Sequence, residues 1–216
     1  MTDKWIFTMA DKWIRLKQFH NAVSREQTYH QGSPVDHKVI DTYLPAFFEA
    51  VSPEEKDITI LDMGCGSGYA MKKMKDMGFE NVSGITMHED SVAEGKLFGL
   101  DIDLMDYNFM TFDDSSFDVL WARQSLHYSP FPFFTIVEMN RVMKTGGWAY
   151  IEIPEPADST YYATLHVDTY KKLFQRAGFE VIQQDSYELT AEEAFEKHNF
   201  IIVSKQISLT LPEFEE

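Results

Sequence analysis

The sequence has a single cysteine, Cys65, in 216 residues and lacks any long apolar stretch. A lone cysteine excludes an intramolecular disulfide and gives no sign of a secreted disulfide framework. A membrane-spanning helix would need a run of about 18 apolar residues, and none is present. The opening residues 1–4 do not have the pattern of a signal peptide. We therefore expect a cytoplasmic protein that does not enter a membrane.

Basic side chains are also scarce, because 19 Lys and Arg stand against 35 Asp and Glu, which gives a net charge of −16. The electric field of this negative charge repels polyphosphates, and contacts to a nucleic-acid backbone normally use Lys or Arg. A small-molecule substrate is therefore expected, and a nucleic-acid partner is not. The seven histidines show no paired ligand spacing, and one cysteine cannot build a zinc cluster, so we expect no metal site. The sequence leaves the oligomeric state open.

The chain carries no internal repeat and no low-complexity linker, so we expect one domain overall. Residues 1–52 have helical periodicity, and Ser33-Pro34 is typical of a helix start. Pro45 is expected to kink the helix that begins there. We predict a helical N-terminal lid over residues 1–52 and a core over residues 53–216.

From residue 57 onward, short apolar runs alternate with amphipathic stretches. This alternation predicts an α/β fold with a doubly wound, mostly parallel, seven-stranded sheet of the Rossmann-like kind. A short acidic helix is expected at 191–197, between two final strands that can be antiparallel. The predicted strands are 57–62, 81–86, 101–105, 117–122, 147–153, 179–186 and 198–205. The predicted helices between the first five strands are 67–77, 89–98 and 130–144.

The segment Asp62–Gly68 reads D-x-G-x-G-x-G and falls where the first parallel strand turns into a helix. Alternating glycines allow positive φ and let a ligand approach the main chain closely. A dinucleotide fingerprint, G-x-G-x-x-G, would need glycine at Tyr69 or at Met71. The spacing therefore argues against a nicotinamide site.

This loop resembles the first motif of class I S-adenosylmethionine-dependent methyltransferases of the small-molecule type. Three later segments resemble motifs of the same family in the same order. The first is Asp106 followed by residues 114–120, the second is residues 141–147, and the third is residues 170–181. The resemblance covers roughly residues 57–186. It implies a Rossmann-like methyltransferase fold, with S-adenosyl-L-methionine as cofactor and S-adenosyl-L-homocysteine as product.

The resemblance also implies roles for individual residues. The loop glycines would wrap the methionine part of the cofactor, and Asp62 would hold the loop and the ammonium group. Asp106 would accept a hydrogen bond from the adenine amino group, with Tyr107 or Asn108 beside the ring, and residues 123–124 would lie near the methionyl tail. The implied cofactor-binding residues are Asp62, Gly64, Cys65, Gly66, Gly68, Thr86, Met87, Asp106, Tyr107, Asn108, Arg123 and Gln124.

One position departs from the family pattern, because Thr86 ends the second strand where the family usually has a ribose-binding Asp or Glu. A hydroxyl binds ribose without a full charge, so the ribose would be held more weakly. Glu89 and Asp90 could reach back to it, although acids are also common in first helical turns because they complement the helix dipole.

The predicted reaction is transfer of a methyl group to an oxygen or nitrogen of a small molecule, such as a sugar or another metabolite. The cofactor carries the reactive group, so the protein supplies mainly alignment, and an acceptor that loses a proton needs a base. His127, after the fourth strand, is the first candidate, and it could instead simply shape its loop. Further candidates are Tyr128, Glu152 and Glu155. The alternative functions are a non-catalytic cofactor-binding or interaction protein on this fold, and an NAD-dependent oxidoreductase.

Overall fold

The structure of the chain is a computed structural model that describes residues 34–51, 56–155, 165–191 and 194–209. All of these residues belong to one compact unit. Within them, no helix is both long enough and apolar enough to cross a membrane.

Seven strands of the described residues form one sheet, in the order β3-β2-β1-β4-β5-β7-β6. Strands β1 to β5 pair in parallel, whereas β7 runs antiparallel to both β5 and β6. This arrangement confirms the predicted mostly parallel seven-stranded sheet. The strands are β1 Ile60–Met63, β2 Val82–Thr86, β3 Asp101–Leu104, β4 Phe117–Arg123, β5 Met143–Pro154, β6 Phe179–Ala191 and β7 Ala194–Lys205.

Helices cover both faces of the sheet. Successive residues of a strand point to opposite faces, and accordingly Leu120 and Trp121 belong to different hydrophobic clusters. Leu120 lies in the cluster that includes α4 and α5, and Trp121 lies in the one that includes α1, α2 and α3. The helices are α1 Pro34–Val51, α2 Tyr69–Asp76, α3 Glu89–Leu97, α4 Pro132–Val142 and α5 Val167–Arg176, and a single 3₁₀ turn spans Leu126–Tyr128.

Helix α1 begins at Pro34, as the sequence predicts, and continues through Pro45 to Val51. Its buried Phe47 contacts Trp121 and Tyr150 at ring-centroid distances of 5.8 and 5.7 Å. Helix α1 is therefore packed on the sheet as part of its hydrophobic core. The remainder of the predicted lid, residues 1–33, lies outside the described residues, so the lid stays a prediction.

The helix predicted at 191–197 is wrong, because β6 continues to Ala191 and β7 begins at Ala194. The Ala-, Glu- and Lys-rich composition favours a helix, but helix propensity is a weak preference that tertiary pairing overrides. Here Thr190 pairs with Phe195, and Leu189 pairs with Glu196. The two strands form one long hairpin at the edge of the sheet.

The helix predicted at 130–144 ends two residues early, at Val142, and β5 starts at once with Met143. Gly146 and Gly147, which the sequence places after the helix, instead lie in an irregular stretch of β5. Gly146 has φ 83°, and the register of pairing with β4 shifts at this point. Because the helix ends early, β5 starts four residues before the predicted strand 147–153. Its carboxyl end, Pro154, lies within one residue of the predicted end.

Candidate active site

The loop Gly64–Gly68 leaves β1 and leads into α2 at the carboxyl edge of the sheet. Three of its residues have positive φ: 80° at Gly64, 54° at Gly66 and 87° at Gly68. The amides of Gly64 and Cys65 both donate to the Ile85 carbonyl, at 2.9 and 3.0 Å. The loop is thus fixed to the neighbouring strand β2, in a conformation that favours glycine.

Close neighbours also require glycine in this region. A Cβ atom on Gly64 would lie 2.6 Å from the Cβ of Ser125, and one on Gly68 would lie 2.4 Å from a methyl carbon of Leu100. A Cβ on Gly84 of β2 would meet the Cys65 sulfur at 2.8 Å. The main chain of the loop and the ends of the neighbouring strands therefore approach one another closely.

Asp62 lies on β1 immediately before this loop and is 3% exposed. Burial raises the pKa of its carboxyl group to about 7, while the positive charge of Arg123 acts in the opposite direction. Its Oδ2 atom has no hydrogen-bond partner among the described residues. Buried polar atoms normally have a partner, so this oxygen fits a donor supplied by a ligand. An ammonium group, such as that of S-adenosylmethionine, suits this position.

Thr86 lies at the end of β2 and is 4% exposed. Its hydroxyl accepts a hydrogen bond from the His88 amide at 3.3 Å, and its carbonyl accepts one from Met105 at 2.9 Å. Thr86 therefore joins the end of β2 to the start of α3 and to the end of β3. Met87, which follows it, is partly buried.

Asp106 follows β3 and is buried. Its Oδ1 atom accepts hydrogen bonds from the Asn108 amide nitrogen at 2.8 Å and from Asn108 Nδ2 at 2.9 Å. The Asn108 side-chain oxygen in turn accepts from the hydroxyls of Ser129 and Thr135. Asn108 therefore fixes Asp106 to the segment that enters α4, and both ends of its side-chain amide bind protein groups.

Tyr107 links the loop after β3 to the loop after β4, because its hydroxyl donates to the Ser125 carbonyl at 2.9 Å. Burial and the neighbouring Asp106 raise the pKa of Tyr107. Its hydroxyl is therefore neutral and acts here as a hydrogen-bond donor.

Arg123 ends β4 and Gln124 follows it, and both contact Glu152 of the neighbouring strand β5. Arg123 Nε lies 3.0 Å from Glu152 Oε1, and Gln124 Nε2 donates to the same oxygen at 3.0 Å. The Gln124 amide also donates to the Glu152 carbonyl at 3.1 Å. Gln124 has φ 53°, a left-handed conformation that is uncommon outside glycine.

Glu152 is fully buried and is surrounded by further polar side chains from β5, β6 and β7. Tyr150 donates to its Oε2 atom at 3.0 Å, and His198 Nδ1 lies 3.9 Å from its Oε1 atom. The Tyr187 ring stacks on His198 with a centroid distance of 5.5 Å. We call this group the Glu152 cluster; its members are Arg123, Gln124, Tyr150, Glu152, Tyr187 and His198.

The sequence does not single out three members of the cluster, Tyr150, Tyr187 and His198. Tyr187 and His198 belong to the antiparallel hairpin, where His198 pairs with Pro154 of β5 and with Tyr187 of β6. No motif marks either residue, because the contact depends on strand register over a long stretch of chain.

His127 lies in the 3₁₀ turn after β4 and is 0% exposed. Burial and, to a smaller extent, the nearby His198 lower the pKa of its imidazole to about 3. The ring packs beside Tyr128 at a centroid distance of 4.3 Å. His127 is therefore neutral and enclosed, and its role as a base stays a prediction.

The implied cofactor-binding residues thus lie at or just after the carboxyl ends of four adjacent strands, β1 to β4. Open α/β sheets bind ligands in the crevice at this edge. The antiparallel strand β7 distinguishes the sheet from the all-parallel dinucleotide-binding arrangement. The fold and the loop spacing therefore both disfavour the oxidoreductase alternative.

Comparison with known proteins agrees with this geometry. Residues 61–151 match a family described as a methyltransferase domain. The 27-O-demethylrifamycin SV methyltransferase of Amycolatopsis mediterranei is 28% identical over 145 residues, which cover 56% of this chain and 53% of that protein. A ubiquinone biosynthesis O-methyltransferase of Hydrogenovibrio crunogenus is 28% identical over 53% of this chain and 49% of its own length.

A solved structure described as the [4+2]-cyclase SpnF shares the fold with a TM-score of 0.66 and 16% identity, covering 89% of this chain and 93% of that one. The chain spans about half the length of these two curated relatives. The glycine loop, the sheet order and the family match agree with one another: residues 61–151 resemble the methyltransferase domain of class I S-adenosylmethionine-dependent methyltransferases.

Proposed function

We propose that the protein transfers a methyl group from S-adenosylmethionine to an oxygen or nitrogen atom of a small molecule. The observation that carries the proposal is the buried Asp62 carboxyl group beside the glycine loop, whose Oδ2 atom has no hydrogen-bond partner among the described residues. The loop supplies main-chain contacts to the methionine part of the cofactor, and Asp106 supplies an acceptor for the adenine amino group.

When bound, the cofactor supplies a methyl carbon attached to a positively charged sulfur. The protein's own contribution is to hold that carbon in line with the acceptor atom, which lowers the entropic part of the barrier. Asp62 would bind the ammonium group and Asp106 would bind the adenine, while Asn108 keeps Asp106 in place. Residues that held both ends of the cofactor would orient the methyl group that it supplies.

The small-molecule acceptor is supported by two observations. Both curated relatives described above are named for methylation of small molecules, one in rifamycin and one in ubiquinone biosynthesis. The net charge of −16 disfavours an acceptor rich in phosphate. Oxygen is the first acceptor atom to test, because the second of these relatives is named an O-methyltransferase.

The acceptor must lose a proton, and His127 is our candidate for the group that takes it. Its imidazole is neutral, as a base requires, but it is enclosed by protein. An acceptor would have to displace neighbouring groups to reach it. If His127 is the base, His127→Ala lowers kcat by about 10² or more and changes the pH–rate profile. An unaltered profile would remove His127 from the mechanism.

The cofactor claim is tested by titration calorimetry with S-adenosylhomocysteine, with NAD measured in parallel. We expect binding of S-adenosylhomocysteine only. No heat with S-adenosylhomocysteine would overturn the proposal. The acceptor is then sought by incubating the protein with methyl-labelled cofactor and panels of phenols, sugars and amines, and by following the label into product.

The second candidate function is cofactor binding without methyl transfer. The full burial of His127, the first candidate base, favours it. A fold-level likeness to a protein described as a cyclase also illustrates that this architecture hosts other chemistry. Tight binding of S-adenosylhomocysteine, with no label transferred to any acceptor, would favour this alternative.

A further inference from the structure

The Glu152 cluster lies where the carboxyl ends of β4 and β5 meet β7, next to the proposed cofactor site. Glu152 is 0% exposed; its two oxygens accept hydrogen bonds from Gln124 Nε2 and the Tyr150 hydroxyl, and its Oε1 atom forms an ion pair with Arg123. A buried carboxylate is tolerated when it has both a counter-ion and hydrogen bonds, and this one has both.

Arg123 connects this cluster electrostatically to the glycine loop. It is ion-paired with Glu152 at 3.0 Å, and its charge also acts on Asp62, the residue that we expect to meet the ammonium group. Its side chain is 9% exposed, so solvent screens these interactions little. The position of the Arg123 guanidinium therefore affects the field at the amino-acid end of the proposed site.

Gln124 connects the cluster to the glycine loop mechanically. Its left-handed backbone is unfavourable for a residue with a side chain, and it persists because the main chain and the side chain are both bonded to Glu152. The next residue, Ser125, lies against Gly64. Releasing Gln124 from Glu152 would therefore let Ser125 and the loop shift relative to each other.

We propose that Glu152 is a positioning residue for the amino-acid part of the cofactor: it holds Arg123 and Gln124 in the conformations that shape that end of the site. The inference rests on the proposed function. It assigns Glu152 a role that differs from that of a general base, since its two oxygens are already engaged by protein donors. It also explains why the chain keeps a carboxylate in a fully buried position on β5.

The test compares two ligands that differ only at the amino-acid end. S-Adenosylhomocysteine carries the complete amino acid, whereas 5′-methylthioadenosine has the adenine, the ribose and the sulfur without it. In the variant Glu152→Gln, which keeps the shape but removes the charge, we expect S-adenosylhomocysteine affinity to fall about tenfold or more. The affinity for 5′-methylthioadenosine should stay within about twofold of that of the wild type, because its contacts lie elsewhere.

Asp118→Asn is the matched control, since it removes another ion-paired carboxylate, bound to Lys144 at 2.8 Å, from the opposite end of β4. It should leave both affinities unchanged. If Glu152→Gln does not fold, Gln124→Gly tests the same connection, because glycine accepts φ 53° and the substitution removes the side-chain amide that binds Glu152 and also contacts His198. We expect the same selective loss of S-adenosylhomocysteine affinity.

An equal loss of affinity for both ligands would show a merely structural role and overturn the inference, as would an unchanged affinity for S-adenosylhomocysteine. Either result leaves the proposed function standing if the wild type binds. Failure of the wild type to bind S-adenosylhomocysteine would instead overturn the proposed function, and this inference with it.

Discussion

Gly64 and Ser125 approach so closely that a Cβ atom on Gly64 would lie 2.6 Å from the Cβ of Ser125. Gly64 follows β1 and Ser125 follows β4, two strands that are neighbours in the sheet. The contact therefore closes the gap between two strand ends, and under the proposed function the main chain of the glycine loop would face the cofactor.

This contact predicts that Gly64→Ala is more harmful than an ordinary glycine replacement. The left-handed backbone alone costs about 1 kcal/mol for alanine, and the clash with Ser125 adds about 2 kcal/mol. We expect a loss of about 3 kcal/mol in the free energy of unfolding, measured by urea denaturation, and at least a tenfold loss of S-adenosylhomocysteine affinity by calorimetry.

Gly99→Ala is the control for Gly64→Ala. Gly99 has φ 70°, but a Cβ atom there would have no neighbour within 4 Å. Gly99→Ala should therefore lower the free energy of unfolding by only the backbone cost of about 1 kcal/mol, and it should bind S-adenosylhomocysteine with normal affinity. Equal effects of the two substitutions would contradict the importance of the Ser125 contact.

Asp106→Asn should weaken cofactor binding without disrupting the loop. The amide oxygen of asparagine can still accept the hydrogen bonds from Asn108, but the second position becomes a donor and cannot accept one from the adenine amino group. We expect S-adenosylhomocysteine affinity to fall about tenfold. Asp103→Asn, at an exposed position of β3, is the control and should bind normally. Normal binding by Asp106→Asn would remove only the adenine assignment.

The glycine loop and the sheet could be predicted because their signals are local. Alternating apolar runs and amphipathic stretches give the element order, and Asp62 to Gly68 has the spacing of a loop that needs positive φ. Asp106 could be placed because it directly follows a short strand. In each case the residues that carry the signal are close together in the chain.

The Glu152 cluster could not be predicted, because its contacts depend on register between distant strands. Nothing near His198 indicates that β7 inserts between β5 and β6 and carries the imidazole to the end of β5. Hairpin pairing likewise overrode the helix-forming composition of 191–197.

Lys205 should stabilise the fold through the end of helix α4. It is 1% exposed, and its ammonium donates to the carbonyls of Asn140 and Met143 at 2.7 and 2.6 Å. The last carbonyls of a helix lack partners within the helix. We therefore expect Lys205→Met to lower the free energy of unfolding by about 2 kcal/mol in urea denaturation. Lys172→Met, at an exposed position of α5, should change it by less than about 0.5 kcal/mol.

Asp62 should make the stability of the ligand-free protein fall as pH rises. Its pKa is about 7 in the folded state, because of burial, against 3.8 when unperturbed. Between these values the folded protein holds a proton that the unfolded chain has lost. Each unit of rising pH therefore lowers the free energy of unfolding by up to about 1.4 kcal/mol. Below the lower value both states are protonated and the cost disappears. The difference in unfolding free energy between wild type and Asp62→Asn, measured by urea denaturation at several pH values, should follow this slope.

The same carboxyl group should make cofactor binding depend on pH in the opposite direction. An ammonium group placed at Oδ2 favours the ionised carboxylate, so binding below pH 7 must release the proton that Asp62 holds. Affinity for S-adenosylhomocysteine should therefore rise up to tenfold per unit between about pH 5.5 and about pH 7. Calorimetry in two buffers of different ionisation enthalpy should detect the released proton. Asp62→Asn should bind more weakly and lose both effects, whereas a wild-type affinity that is constant over this range would place the ammonium group elsewhere.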